Sequence, residues 1–260
     1  MSEPLIDVNV NLGQWPTRRT AGDSPAALTA KLKRHGVVEA WAGSFDGLFF
    51  ADLAEVNTRL AAECRAQVEV RLIPFGEINP LLPNWEAELQ RCIDTHRMPG
   101  IRLHPSYHGY AINHPQFARL LAAAGERRLI VAIATSMEDE RMMHPLLRVP
   151  TVNLSPLAKL VEHTPGVRLL LINALQTPRG DALHRLLRAG EVYVDIATLE
   201  GIGGIEKLLA DVPLERVLFG SHSPSFYFEA AQLKLQESQL SASQRLAIIR
   251  ENARRLLPLA

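Results

Sequence analysis

The sequence predicts an α/β fold, a (β/α)8 TIM barrel forming one domain. Short continuous apolar runs alternate with longer helical stretches along the chain. There are eight such runs. The length of 260 residues suits a single barrel. A doubly wound open sheet would also alternate strand and helix, but the count and the length favour closure.

Parallel strands covered by helices are apolar on both faces, so their sequences are near-continuous runs. These fall at Ile6–Leu12, Val37–Gly43, Glu69–Phe75, Gly100–His104, Leu129–Thr135, Val167–Asn173, Val192–Ala197 and Arg216–Gly220. The helices carry start and stop signals. Ser24 and Pro25 open Ala26–Arg34, and Gly36 stops it. Ala51–Gln67 has apolar residues at three- and four-residue spacing. Asn84 is the expected cap of Trp85–Arg97, which Pro99-Gly100 ends. His114-Pro115 opens Gln116–Glu126, and Ser155-Pro156 opens Leu157–His163. Asp181 is the expected cap of Ala182–Arg188. Gly204–Ala210 and Ser225–Gln236 follow the last two strands, and Ser241–Leu257 is the final helix.

Composition narrows the function. With 28 Lys+Arg against 28 Asp+Glu the net charge is zero, which gives no general field for nucleic acid or anionic lipid. Apolar residues at 47% and charged ones at 22% are globular values, not those of a disordered chain. Arg18-Arg19 and Arg127-Arg128 read as solvated surface. Gly201-Ile202-Gly203-Gly204 lacks a P-loop lysine and reads as a tight turn. Cys64 and Cys92 form no Cys-x-x-Cys pair. No apolar run approaches the roughly 20 residues of a membrane span. Met1–Asn11 has no basic-then-apolar leader pattern, so the cytoplasm is the expected location.

Barrel chemistry collects at the carboxyl ends of the strands. Period-two alternation puts Asp7, Asn9 and Asn11 on one strand face, where three polar groups need partners or a cavity. Arg102 and His104 share a face of the fourth strand, and Tyr107 and His108 follow. Glu77 ends the third strand, Asn173 the sixth, Asp195 the seventh, and Ser221-His222-Ser223 the eighth. Trp15, Phe45, Phe49, Phe50, Phe226 and Tyr227 fall in loops above the mouth, to wall a pocket or bury against a second subunit.

Four segments together resemble the amidohydrolase superfamily, in its amidohydrolase-2 branch. Ile6-Asp7-Val8-Asn9-Val10-Asn11-Leu12-Gly13 stands where that family has an aspartate and then His-x-His. Gly100-Ile101-Arg102-Leu103-His104-Pro105 is similar to its fourth-strand segment. Val217-Leu218-Phe219-Gly220-Ser221-His222-Ser223-Pro224 is similar to its Phe-Gly-Ser-Asp-x-Pro. Ile248 to Leu257 is similar to its C-terminal Ile-x-x-x-Asn-Ala-x-x-Leu helix. The resemblance implies the barrel, and in many members a divalent metal. The ligand positions here hold Asn9, Asn11, Thr135 or a close neighbour, Asn173 and His222. Neutral amides are poor zinc donors, so no metal and no other cofactor is expected. A shifted site on His104, His108 and His222 has no recognised ligand spacing.

Two functions follow. One is metal-independent hydrolysis of a small ester, lactone or related carbonyl compound. His222 is then the base, His104 or Tyr107 protonates the leaving group, and Asp7 or Asp195 orients an imidazole. Asn9, Asn11 and Asn173 donate to the oxyanion, Arg102 clamps a substrate carboxylate, and Tyr107 and His108 complete the substrate-binding set. The other is a catalytically degenerate barrel that binds a ligand or pairs with an active homologue. Decarboxylation, which some relatives perform with a metal, ranks below both. The expected partners are a small molecule and, as in many relatives, a second copy.

Overall fold

The computed structural model describes residues 3–20, 22–176 and 180–258. The strands are β1 (Leu5–Leu12), β2 (Val37–Ser44), β3 (Arg71–Pro74), β4 (Gly76–Glu77), β5 (Gly100–Leu103), β6 (Ile130–Ala134), β7 (Arg168–Ile172), β8 (Glu191–Asp195) and β9 (Val217–Leu218). All pairings are parallel, in the orders β1-β2-β3 and β4-β5-β6-β7-β8-β9. The third stave, expected as one strand, is split. Pro74 has no N–H to continue the ladder, and Phe75 makes the last bond to the second stave, from its N–H to the Ala42 carbonyl at 2.8 Å. Between last and first stave, Val8 N–H donates to Phe219 O at 3.0 Å and Asn11 N–H to Ser223 O at 2.9 Å. Nine strand segments thus make the eight staves of a TIM barrel.

The helices pack outside: α1 (Pro25–Arg34), α2 (Leu53–Ala66), α3 (Trp85–Asp94), α4 (Pro115–Glu126), α5 (Leu157–Glu162), α6 (Asp181–Arg188), α7 (Gly204–Leu209), α8 (Phe228–Glu237), α9 (Ala242–Leu246) and α10 (Asn252–Leu256). Ser24 accepts the Ala27 N–H as the cap of α1, and His114 caps α4 through Nδ1. Of two other expected caps, one holds its position and one does not. Asn84 makes no side-chain cap bond, and Asp181 is the first residue inside α6, preceded by Gly180 at φ +56°. Helix α3 ends three residues early, and Arg97 turns left-handed at φ +57°. The last helix forms as α9, a π-turn over Ala247–Glu251, and α10, opened by a Ser241–Gln244 capping box. The π-turn lets the Ile248 carbonyl accept the Phe219 N–H at 3.0 Å, tying the helix to the last stave.

Two apolar layers sandwich the strands. Leu103, Val131, Leu169 and Val194 face the helices, while Trp41, Phe75, Ala132, Leu170 and Leu218 fill the barrel. In β1 the alternation breaks. Ile6 and Val8 belong to the inner layer, but Val10 and Leu12 belong to the outer one. The register with β2 shifts between Asp7 and Val10. Asp7 therefore does not share a face with Asn9 and Asn11, contrary to strict period two; an irregular residue pair flips the phase.

Candidate active site

The phase flip aims Asn9 and Asn11 into the barrel mouth and Asp7 toward the last stave. Asp7 is fully buried. Its Oδ1 accepts the N–H groups of Asn9 and Ser221, each at 3.0 Å, and its Oδ2 lies 2.5 Å from Ser221 Oγ. Burial pushes its carboxyl up to about 7. Asp7 thus braces the seam between first and last staves.

Beside it lies an interlocked polar network, in which Asn9 Oδ1 is left without a partner. Asn9 Nδ2 donates to Asp195 Oδ2 at 2.7 Å and to Asn173 Oδ1 at 2.8 Å. Asn173 Nδ2 donates to the Ser136 carbonyl at 2.9 Å and faces His222 Nδ1 at 3.3 Å. Asn11 Nδ2 faces the same nitrogen at 3.4 Å, while Asn11 Oδ1 accepts from Arg102 at 2.6 Å. His222 Nε2 lies 3.0 Å from the Met137 carbonyl. A carbonyl only accepts, so Nε2 carries the proton and Nδ1 receives the two amides. Burial pushes this imidazole down to about 4 and Asp195 up to about 6. Asn173 and His222 both sit left-handed, at φ +57° and +56°.

Arg102 is equally enclosed. Its guanidinium donates to the carbonyls of Val10 (3.0 Å) and Trp41 (3.3 Å) besides Asn11 Oδ1. It lies so close to Gly43 that a Cβ there would stand 2.6 Å from Arg102 Cδ. Both terminal nitrogens expected to clamp a substrate carboxylate thus bond the barrel itself, and Nε is buried without a partner. The amide protons of Asn9 and Asn173 expected at an oxyanion are spent likewise.

The family's divalent ion does not fit this donor set. Asn11 Oδ1 faces a guanidinium, Asn173 Oδ1 faces an amide donor, and both His222 nitrogens are engaged; Asn9 Oδ1 is unpartnered, but one neutral amide oxygen is too weak a donor to hold the ion. Among the described residues no three His, Cys, Asp or Glu side chains are grouped to hold a metal.

The other side of the mouth differs. His104 is buried, with Nε2 3.1 Å from Glu77 Oε2, but the contact is too oblique for a hydrogen bond. Both His104 nitrogens and Glu77 Oε2 are without a hydrogen-bond partner. Glu77 Oε1 accepts the Ser44 N–H at 2.9 Å. His108 Nε2 donates to the Gly47 carbonyl at 2.8 Å, leaving Nδ1 unpartnered; burial and His104 push it down to about 4. Burial raises the Tyr107 phenol above its usual range, so it keeps its proton. The His104 ring centroid is 6.4 Å from that of Tyr107 and 6.0 Å from that of His108. Trp15 and Phe45 roof this corner edge to face at 5.1 Å, and Arg18 pairs with the buried Glu138 at 3.0 Å. Phe49, Phe50 and Tyr227 stay exposed. A separate cavity of about 400 Å³ opens beyond Ser221, lined by Thr198, Glu200, Phe226, Tyr227 and Lys234, and does not include His104.

Glu77 was visible only as a polar residue at a strand end, because nothing in the spacing says which acid meets His104. The nearest available signal was an acid directly after an apolar run, at Phe75-Gly76-Glu77.

No curated protein sequence matches this chain. Solved structures do, at identities that show the fold alone. A 5-carboxyvanillate decarboxylase from Sphingomonas paucimobilis superposes with a TM-score of 0.75 at 13% identity, over 100% of both chains. A dihydroxybenzoic acid decarboxylase from Polaromonas sp., solved with bound manganese, gives 0.72 at 12%, over 98% of this chain and 97% of that one. A TIM-barrel protein from Bordetella bronchiseptica gives 0.71 at 13%, over 97% and 98%. A family model described as Amidohydrolase, of the amidohydrolase-2 type, matches residues 13–259. With the barrel, the strand-end site and this match over nearly the whole chain, the protein belongs to the amidohydrolase-2 family.

Proposed function

We propose that this protein hydrolyses a small ester, lactone or related carbonyl compound without a divalent metal, using Glu77 and His104 as its proton-transfer pair. The carrying observation is the contrast between two buried imidazoles. His222 has both nitrogens engaged, whereas His104 has both without a hydrogen-bond partner beside a carboxylate. In this reading His104 takes a proton from water as it attacks the carbonyl carbon, then returns it to the departing alkoxide, giving acid and alcohol. Glu77 orients the ring and stabilises the imidazolium. Tyr107 donates to the carbonyl oxygen as negative charge develops; one such donor is worth roughly 3 kcal/mol. Asn9, Asn11, Asn173, Asp195, Arg102 and His222 form the rigid floor. This moves the base from His222 to His104, because an imidazole with both nitrogens engaged has no lone pair to offer.

The test is hydrolysis of a panel of aryl esters and lactones by chelator-dialysed protein. The expected result is turnover that survives chelator and falls by roughly 10² or more in His104→Gln. Turnover that chelator abolishes, or that His104→Gln leaves intact, would reject it. One observation favours a second reading, a silent barrel that binds a ligand or pairs with an active homologue: the catalytic corner is roofed by Trp15 and Phe45, while the open cavity lies elsewhere. No turnover across the panel, with ligand-induced protection of the residues lining that cavity, would favour it.

A further inference from the structure

Asn57 lies on the buried face of α2, between Val56 and Leu60, where an amide is costly unless satisfied. It is satisfied almost wholly by one residue. Its Oδ1 accepts the Glu77 N–H at 2.7 Å, and its Nδ2 donates to the Glu77 carbonyl at 3.0 Å. The second amide proton goes to Glu88 Oε1 at 2.7 Å. Glu88 is itself buried on α3 and held by Arg91 at 3.0 Å. This clamp grips both main-chain groups of Glu77 where the third stave is broken and β4 is two residues long. A strand that short has little ladder to fix its side chains. Gly47 completes the arrangement: a Cβ there would stand 2.5 Å from Glu77 Cγ.

We propose that Asn57, backed by Glu88, is the positioning residue that holds the Glu77 carboxylate against His104. What that positioning serves rests on the proton-transfer reading above; the positioning itself does not. Asn57→Asp keeps the size and the acceptor, removes both donors, and sets a carboxylate against Glu88. Adding Glu88→Gln returns a donor to that contact but leaves the Glu77 carbonyl unserved, so recovery should be partial.

The experiment is crystallography of wild type, N57D and N57D/E88Q, with kcat and KM for 4-nitrophenyl acetate over pH. In N57D the Glu77 carboxylate should leave His104, and kcat should fall roughly tenfold or more with KM little changed. The double variant should recover part of both. Where N57D does not fold, the double variant, relieved of the carboxylate clash, carries the test by comparison with wild type. A Glu77 unmoved in every variant that folds overturns the proposal. So does a displaced Glu77 that E88Q does not draw back. A displaced Glu77 with undiminished kcat supports the positioning and strikes the hydrolase reading instead.

Discussion

The two halves of the barrel mouth hold similar polar residues in opposite conditions. Toward β1, β7, β8 and the loop after β9, Asn9, Asn11, Asn173 and His222 interlock, anchored by the acceptor Asp195 and the donor Arg102, with both His222 nitrogens engaged and Asn9 Oδ1 and Arg102 Nε left over. Toward β4 and β5, Glu77, His104 and His108 leave buried nitrogens and an oxygen unpaired. A mostly satisfied network rigidifies; imidazoles left wholly without partners cost stability and persist where chemistry uses them. On the proposed reading, the Asn9–His222 half is scaffold and reactivity belongs to the His104 half.

Two glycines, one in each half, should respond differently to the same substitution. Alanine at Gly220 would put its Cβ 2.5 Å from Asp195 Oδ2, which accepts from Asn9 while Oδ1 accepts the Asn173 N–H, so the carboxylate is pinned at both oxygens. Gly220→Ala should cost about 3 kcal/mol or more in urea unfolding. Gly47→Ala presses on Glu77, which can yield because one of its oxygens is free, so it should cost about 1 kcal/mol but depress turnover. Equal stability losses would erase the distinction between the halves. Between these two in stability cost, His222→Asn, a residue that tolerates positive φ, should lose about 2 kcal/mol and keep its hydrolytic rate.

The pH dependence sharpens the same contrast. Burial raises Asp7 to about 7 and Asp195 to about 6, so the folded protein holds those protons more tightly than the unfolded chain. Their contribution to stability is full below the ordinary value of 3.8 and is lost as pH rises through about 6 to 7. His222 and His108, lowered to about 4, act oppositely: full above 6.5, lost as pH falls through about 4. In Asp7→Asn the first loss should shrink, so stability relative to wild type should climb between pH 5 and pH 8, on the order of 2 kcal/mol. A difference flat with pH would show that Asp7 does not titrate there. The smallest effect is expected at the rim. Arg18→Ala should cost under about 1 kcal/mol, read by the same unfolding curves, since Arg18 is partly solvated.

Most of the barrel was legible because buried parallel strands are apolar runs and helices announce their ends. The positions of Arg102 and His104 on one face followed from period two. That rule failed in β1, where a register shift divides Asp7 from Asn9 and Asn11; no residue type marks it. Glu77 and Asn57 were hidden for a related reason. Their partnership is made across the stave-three break by residues 20 apart, which neither spacing nor composition encodes. The roles of His222 and Arg102 turned on which neighbours consume their hydrogen-bonding groups, a fact of three dimensions only.

On the proposed reading the reactive imidazole is His104, and the strand-eight imidazole is scaffold. The direct measurement is the rate of ester hydrolysis by His104→Gln and His222→Asn, side by side in chelator-dialysed, folded protein. The account predicts loss in the first and retention in the second. Retention in His104→Gln with loss in His222→Asn would contradict it.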